Sequence, residues 1–293
     1  MYAQLAKSKP MSFEVSDGLA KELQIRDSIK DELVQKLDSS NSLESWTLRS
    51  NKGLIVEQTK RIARLLPPKA RVLDVGFGSG FSSLELGRQG FLVRGVEPSI
   101  TNIEIATMAA KKFGINFSGT HATAEEMSRF LTGTFDAIYF NSSLHHCDDP
   151  YAALQNAYAL LDKGGIVIFI EPTLKPWRSK SWFFRQLENN PIGMAHYGGN
   201  EHIYYNWEYV RMLRHAGFTD ITYSSLFAEM DPRPMIVAKI QSKIAGVYTH
   251  SMFEIAIRTV YYAAIEKVAH TKIFSTFYKW LSLGDGLWVA KRI

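Results

Sequence analysis

Strand, helix and strand alternate between Arg71 and Pro172, which predicts an α/β fold with a doubly wound, mostly parallel sheet covered on both faces. Two further observations support it. ARVLDVGFGSG, residues 70–80, runs a short apolar strand straight into a glycine-rich turn, and a helical amino-terminal region stops at Pro67-Pro68. The chain has 293 residues, 46% of them hydrophobic and 12% aromatic, enough to bury a sizeable core.

The elements follow in order. From Ser16 to Leu66, apolar Leu19, Leu23, Ile29, Leu33 and Leu37 recur at mostly three-to-four spacing, as on one face of a helix. Ile55, Ile62, Leu65 and Leu66 form a second series, and SSNSLESW between the two reads as a connector. After the prolines come the strand VLDV, the helix FSSLELGRQG closed by glycine, the strand FLVRGVEP, the helix TNIEIATMAAKKFG and the strand INFSGTHA. FDAIYFN is the fourth strand, a helix spans YAALQNAYALLDKGG, and GIVIFIEP is the fifth strand. Beyond Glu171 the sequence turns aromatic, then strand-like at DITYSSLF, then mostly helical from about Met235 to Leu283, and it ends in a last strand, GLWVAKRI. The late helical stretch thus interrupts two neighbouring strands.

Composition narrows the function classes. No apolar run approaches the ~20 residues of a membrane span, and the start, MYAQLAKSKPMSFEV, lacks a signal peptide's apolar core, so a cytoplasmic location is expected. The single Cys147 cannot form an internal disulfide, in keeping with a reducing compartment. The net charge of +5 is not gathered into a basic block or a stripe interleaved with aromatics, and no nucleic-acid partner is expected. The oligomeric state is not legible.

In VLDVGFGSG, Asp74 lies two residues before Gly76, and Gly76, Gly78 and Gly80 alternate through the turn. Glycines allow positive φ and close approach of a ligand to the main chain, and the following helix offers free N–H groups. A nucleotide-like ligand is the natural occupant. A dinucleotide turn would place glycine three after Gly78, where Phe81 stands, and would not usually carry an acid at Asp74. A ligand with a cationic end fits better.

VLDVGFGSG resembles motif I of the class I S-adenosylmethionine-dependent methyltransferases. Four further stretches are similar to that family at fitting distances: GVEPS with Glu97, 23 positions after Asp74; ATAEEM, residues 122–127; FDAIYFNSSLHH; and LLDKGGIVIFIEP. The resemblance implies a seven-stranded Rossmann-like sheet, S-adenosylmethionine as cofactor and S-adenosylhomocysteine as product. It further implies that Gly76, Gly78 and Gly80 pass under the methionine part and that Asp74 orients the turn and the amino group. Glu97 would hold the ribose hydroxyls, Thr123 or the Ala124 backbone would meet adenine, and the Asn141 backbone would lie near the amine. Thr123 departs from the aspartate common in the family, although a hydroxyl still accepts a hydrogen bond. The same resemblance divides the chain into a helical lid (1–68), a cofactor-binding core (69–172), an acceptor cap with the sixth strand (173–234), a helical insertion (235–284) and the last strand (285–293).

NSSLHHCDDP, residues 141–150, follows strand four, where the family's acceptor pocket opens. An aliphatic hydroxyl attacks poorly until its proton begins to leave, so an imidazole within reach is a candidate general base. The reading is His146 as base, with His145 as its rival and Glu171 behind the imidazole, in an arrangement similar to sugar O-methyltransferases that act on natural-product glycosides. The expected acceptor is therefore a small-molecule hydroxyl, foremost a sugar or glycoside oxygen; N- or C-methylation of a lipid, quinone or amine, or a non-catalytic cofactor-binding protein, are the alternatives. His145 and His146 as packing residues are a further reading. No metal is expected, because no i, i+4 pair of histidines supports one and Asp149-Pro150 reads as a helix cap and first residue. Trp177, Trp182, Phe183, Phe184, Tyr197, Tyr204, Tyr205 and Trp207 are offered as acceptor-side rings, and His196 and His202 as reserve bases. In the late stretch Phe253, Ile257, Val260, Tyr261, Ala264 and Val268 share a helical face, which suits packing on the domain or peripheral contact with a membrane.

Overall fold

A computed structural model of the chain describes residues 15–51, 54–189, 200–225 and 286–293. Four helices lead: α1 (Asp17–Ser28), α2 (Lys30–Asp38), α3 (Leu43–Asn51) and α4 (Leu54–Ala63). Ser16 caps α1 by accepting from the Leu19 N–H. The expected connector over SSNSLESW is shorter than the sequence suggested. Ser42 and Ser45 satisfy each other's backbone N–H groups, so α3 already starts at Leu43 and Trp46 is helical and buried, its ring 4.8 Å from that of Phe81.

The sheet has seven strands: β1 (Arg71–Val75), β2 (Leu92–Glu97), β3 (Phe117–His121), β4 (Phe135–Asn141), β5 (Leu161–Glu171), β6 (Thr219–Ser225) and β7 (Gly286–Lys291). Their order is β3-β2-β1-β4-β5-β7-β6. β1 to β5 are parallel, while β7 runs antiparallel between β5 and β6. Helices α5 (Phe81–Arg88), α6 (Ile100–Phe113), α7 (Pro150–Leu160), α8 (Lys180–Glu188) and α9 (Asn206–His215) connect or follow the strands.

Both faces of the sheet are covered, because successive side chains of each strand enter opposite layers. Leu73, Ile138, Phe140 and Phe169 join one buried cluster with Trp288, whereas Val72, Ala137, Tyr139 and Ile168 join another with Ile62 of α4. The chain starts at β1, moves outward to β2 and β3, and returns to β4 on the other side of β1. That reversal leaves a crevice at the carboxyl ends of β1 and β4, where α/β sheets bind ligands. β5 corrects one boundary: the helix expected to run through LLDKGG ends at Leu160, and Leu161 already pairs with Phe135 ahead of a register shift. Among the described residues no helix is long and apolar enough to cross a membrane. The helical stretch expected over 235–284, with its amphipathic face, lies outside the described residues.

Candidate active site

The turn after β1 needs glycine for two different reasons. Gly76 has φ +70°, and a Cβ there would stand 2.5 Å from the Ser143 Cβ; Gly78 has φ +53°, and a Cβ there would meet nothing within 4 Å. Gly76 therefore lets the turn close against the segment after β4, and Gly78 presents bare backbone to a cavity of about 530 Å³ that it lines. Alanine at position 76 is expected to cost about 1–3 kcal/mol through strain and displacement of Ser143. Chemical denaturation measures this; a variant as stable as the parent would contradict it.

Glu97 fastens the same turn. Its Oε2 accepts from the Gly78 N–H at 2.9 Å, and its Oε1 accepts from the Ser99 N–H and the Asn102 amide, both at 3.1 Å. Burial pushes its carboxyl above the ordinary value. Asp74 lies beneath the turn, where its Oδ2 accepts from the Ser83 hydroxyl at 2.7 Å and its buried Oδ1 has no hydrogen-bond partner among the described residues. Burial, with Glu97 nearby, pushes Asp74 up to about 7 despite the bond from Ser83. Thr123, Ala124 and Asn141 line the cavity, and Asn141 donates from its side chain to the Ser82 hydroxyl at 2.9 Å. Six acids, Glu22, Glu97, Glu125, Glu126, Asp148 and Asp149, share the wall with Arg26, so the cavity favours a cationic guest.

Leu144–His146 forms a single 3-10 turn against the end of β5. Glu171, fully buried, accepts at Oε1 from the Ser143 and Leu144 N–H groups at 3.0 and 2.8 Å, and at Oε2 from His145 Nδ1 at 2.5 Å. The expectation that Glu171 stands behind His146 is therefore corrected: it stands behind His145. In the 3-10 turn the two adjacent rings stay side by side, 4.1 Å apart between centroids, yet their Nδ1 atoms meet different partners. His146 lines the cavity, and its Nδ1 donates to the Asn200 carbonyl at 2.6 Å. A carbonyl can only accept, so the neutral ring carries its lone pair on Nε2.

The two rings have opposite tendencies. Burial alone would lower His145, but Glu171 on one nitrogen and Glu201 on the other, 3.3 Å from Nε2, raise it to about 10. Burial lowers His146, and the charge of His145 lowers it further against the pull of Glu22 and Glu201. The site thus pairs a cationic imidazole with a neutral one. His145, His146 and Glu201 also bring ligand-type atoms within 4.8 Å of one another, a set that could hold a metal ion. A ring held between two carboxylates and protonated on both nitrogens has no lone pair to give, so the geometry favours a hydrogen-bonded cluster.

Three participants escaped the sequence reading: Glu22, Asn200 and Glu201. The Asn200 amide donates to Glu22 Oε2 at 3.1 Å and to the His146 carbonyl at 3.3 Å, tying α1 to the 3-10 turn. Their signal was weak, since each joins the site only through contacts distant in the chain. Asp149 does cap α7, accepting from the Tyr151 and Ala152 N–H groups, with Pro150 in the first turn. His202 donates its backbone N–H to the His145 carbonyl at 3.0 Å. None of the seven described aromatic rings offered for the acceptor side lines this cavity. Trp177, Phe184 and Trp207 are exposed, and Tyr204 packs on Tyr209. Tyr197 and His196 lie outside the described residues.

A family model described as a methyltransferase domain matches residues 48–223. A ubiquinone biosynthesis O-methyltransferase of Histophilus somni is 34% identical over 113 residues, covering 36% of this chain and 48% of that protein. The chain thus matches only about half the length of this curated relative. Among solved structures, a geranyl diphosphate C-methyltransferase from Streptomyces coelicolor A3(2) superposes with a TM-score of 0.58 at 16% identity, covering 87% of this chain and 85% of that one. A phosphoethanolamine N-methyltransferase 2 of Haemonchus contortus gives a TM-score of 0.54 at 15% identity, with coverage of 87% and 60%. The three names specify methylation on oxygen, carbon and nitrogen, so the shared fold leaves the accepting atom open.

Proposed function

The chain belongs to the family of methyltransferase domains, and on that premise we propose that it moves a methyl group from S-adenosylmethionine to a hydroxyl oxygen of a small-molecule acceptor. The observation that carries the donor is the acid-rich cavity over a glycine turn. Gly78 leaves room where a side chain would intrude, Glu97 presents a carboxylate in the wall, and Asp74 below holds a buried oxygen without a partner among the described residues. A ligand with a diol, an ammonium and a sulfonium matches that set. When bound, the donor supplies a methyl group on a cationic sulfur that departs neutral. The chain's own residues hold the turn, keep the site dry and receive a proton: His146, neutral with its Nε2 lone pair, is the base in this reading.

The oxygen acceptor draws support from that neutral ring in the wall and from the curated relatives' names. The sugar or glycoside hydroxyl expected from the Leu-His-His pattern has less behind it, because Glu171 engages His145 and not the ring in the wall. A hydroxyl on a ring of the kind met in ubiquinone biosynthesis takes precedence here. Incubation with methyl-labelled donor and a panel of dihydroxybenzenes, glycosides and amines, read by mass spectrometry, tests it. Label on ring oxygen is expected; label only on nitrogen or carbon overturns the oxygen assignment, and label on a glycoside restores the sugar.

Glu97→Ala is expected to weaken donor-product binding roughly 10- to 100-fold, the worth of charge-assisted hydrogen bonds to a diol. Calorimetric titration with S-adenosylhomocysteine measures it, and an affinity within twofold of the parent removes Glu97 from the donor site.

A further inference from the structure

We propose that Glu201 is a positioning residue for methyl transfer, one carboxylate spanning two adjacent imidazoles: one oxygen holds His145 as a fixed cation, and the other balances the charge that arrives on His146. The inference rests on the reading of His146 as base. The geometry is specific. The two rings lie 4.1 Å apart between centroids, tilted by 39°. Glu201 Oε2 is 3.3 Å from His145 Nε2, and Oε1 is 4.0 Å from His146 Nε2. Both rings are clamped at their far nitrogens, His145 by Glu171 and His146 by the Asn200 carbonyl, so both Nε2 atoms are turned toward the same carboxylate. The Glu201 side chain is only 14% exposed, which keeps the interaction from being screened away. Burial would raise its carboxyl, but the His145 hydrogen bond and charge hold it below the ordinary value.

During transfer the acceptor hydroxyl gives its proton to His146 Nε2, the oxygen's electron pair forms the new O–C bond, and the C–S pair returns to sulfur. His146 ends the step as a cation beside the cation of His145, an arrangement that like charges oppose. Other charged groups also face His146: Glu22 of α1, 3.7 Å from Nδ1 and paired with Arg26; and Asp148 and Asp149 before α7, with Glu125, in the same cavity wall. His202 neighbours Glu201. Among these acids Glu201 alone contacts both rings at Nε2. Its role is to let one imidazole remain charged while the next one charges and discharges at every turnover.

The test is Glu201→Gln in the full chain, an isosteric change that removes the charge. Turnover is expected to fall ~10-fold or more, and the acid limb of the kcat/KM profile to move to lower pH, since His146 protonates less readily without the carboxylate. Binding of S-adenosylhomocysteine is expected to stay as in the parent, and Glu201→Asp to recover part of the turnover. A fall in turnover with the acid limb in place and a lowered melting temperature overturns the proposal in favour of scaffolding. Parent activity that collapses on chelation and returns with zinc or manganese overturns it in favour of a metal ligand. His146→Asn separates the two readings: if it keeps parental turnover the base assignment falls, whereas if it is inactive and Glu201→Gln retains the parental profile, only Glu201 falls.

Discussion

His146→Ala is expected to lower turnover by about 10²–10⁴-fold, the usual contribution of a positioned base, while leaving the affinity for S-adenosylhomocysteine within a few-fold of the parent. The expectation follows from position and protonation state together. His146 lies in the cavity wall with Nδ1 spent on the Asn200 carbonyl. Burial, reinforced by the cation of His145, holds its pKa below 6.5, so the ring is the neutral base over the whole range above that value. The acid limb of the parental profile is therefore expected below pH 6.5. Calorimetry and initial rates on the same preparations check both halves; parental turnover in the alanine variant would remove the base from the mechanism.

Glu171→Ala is expected to cost about 3–5 kcal/mol of stability, because it removes the nearer of a buried cation's two carboxylates and the acceptor of two N–H groups in one step. Glu171 carries the His145 imidazolium and the backbone of Ser143 and Leu144, and its own side chain is fully buried. The effect depends on pH in a defined direction. His145 is raised in the folded chain from 6.5 to about 10, so the stability it contributes is fully present below pH 6.5 and is lost as pH rises through about 10. The gap between parent and variant should thus be widest near pH 6 and narrower at pH 10. Urea denaturation at both values measures it, and an equal gap at the two would show that the ion pair contributes nothing.

Legibility in the sequence followed the range of the interaction involved. The alternation of strand and helix and the glycine turn depend on local pattern, and VLDVGFGSG was sufficient to place the cavity's floor. Glu97 was singled out by the resemblance alone, and it stands at the end of β2 in the cavity wall. The partner of Glu171 was not legible: choosing between His145 and His146 requires the 3-10 turn, which brings His145 Nδ1 to Glu171 and His146 Nδ1 to the Asn200 carbonyl while the rings stay adjacent. Ser42 and Ser45 likewise lengthened α3 through reciprocal bonds that polar composition alone makes look like a loop. Glu22, Asn200 and Glu201 meet across 178 or so residues of chain, a separation that no periodicity reports.

The bond between the Asn200 amide and Glu22 ties the amino-terminal helices to the imidazole's surroundings. Glu22 belongs to α1, and Asn200 is bonded at both its carbonyl and its amide to His146. One amide thus joins the first helix to the backbone of the 3-10 turn, and the same residue's carbonyl fixes the imidazole. The amino-terminal helix is thereby part of the imidazole's setting as well as of the cavity wall, since Glu22 serves both.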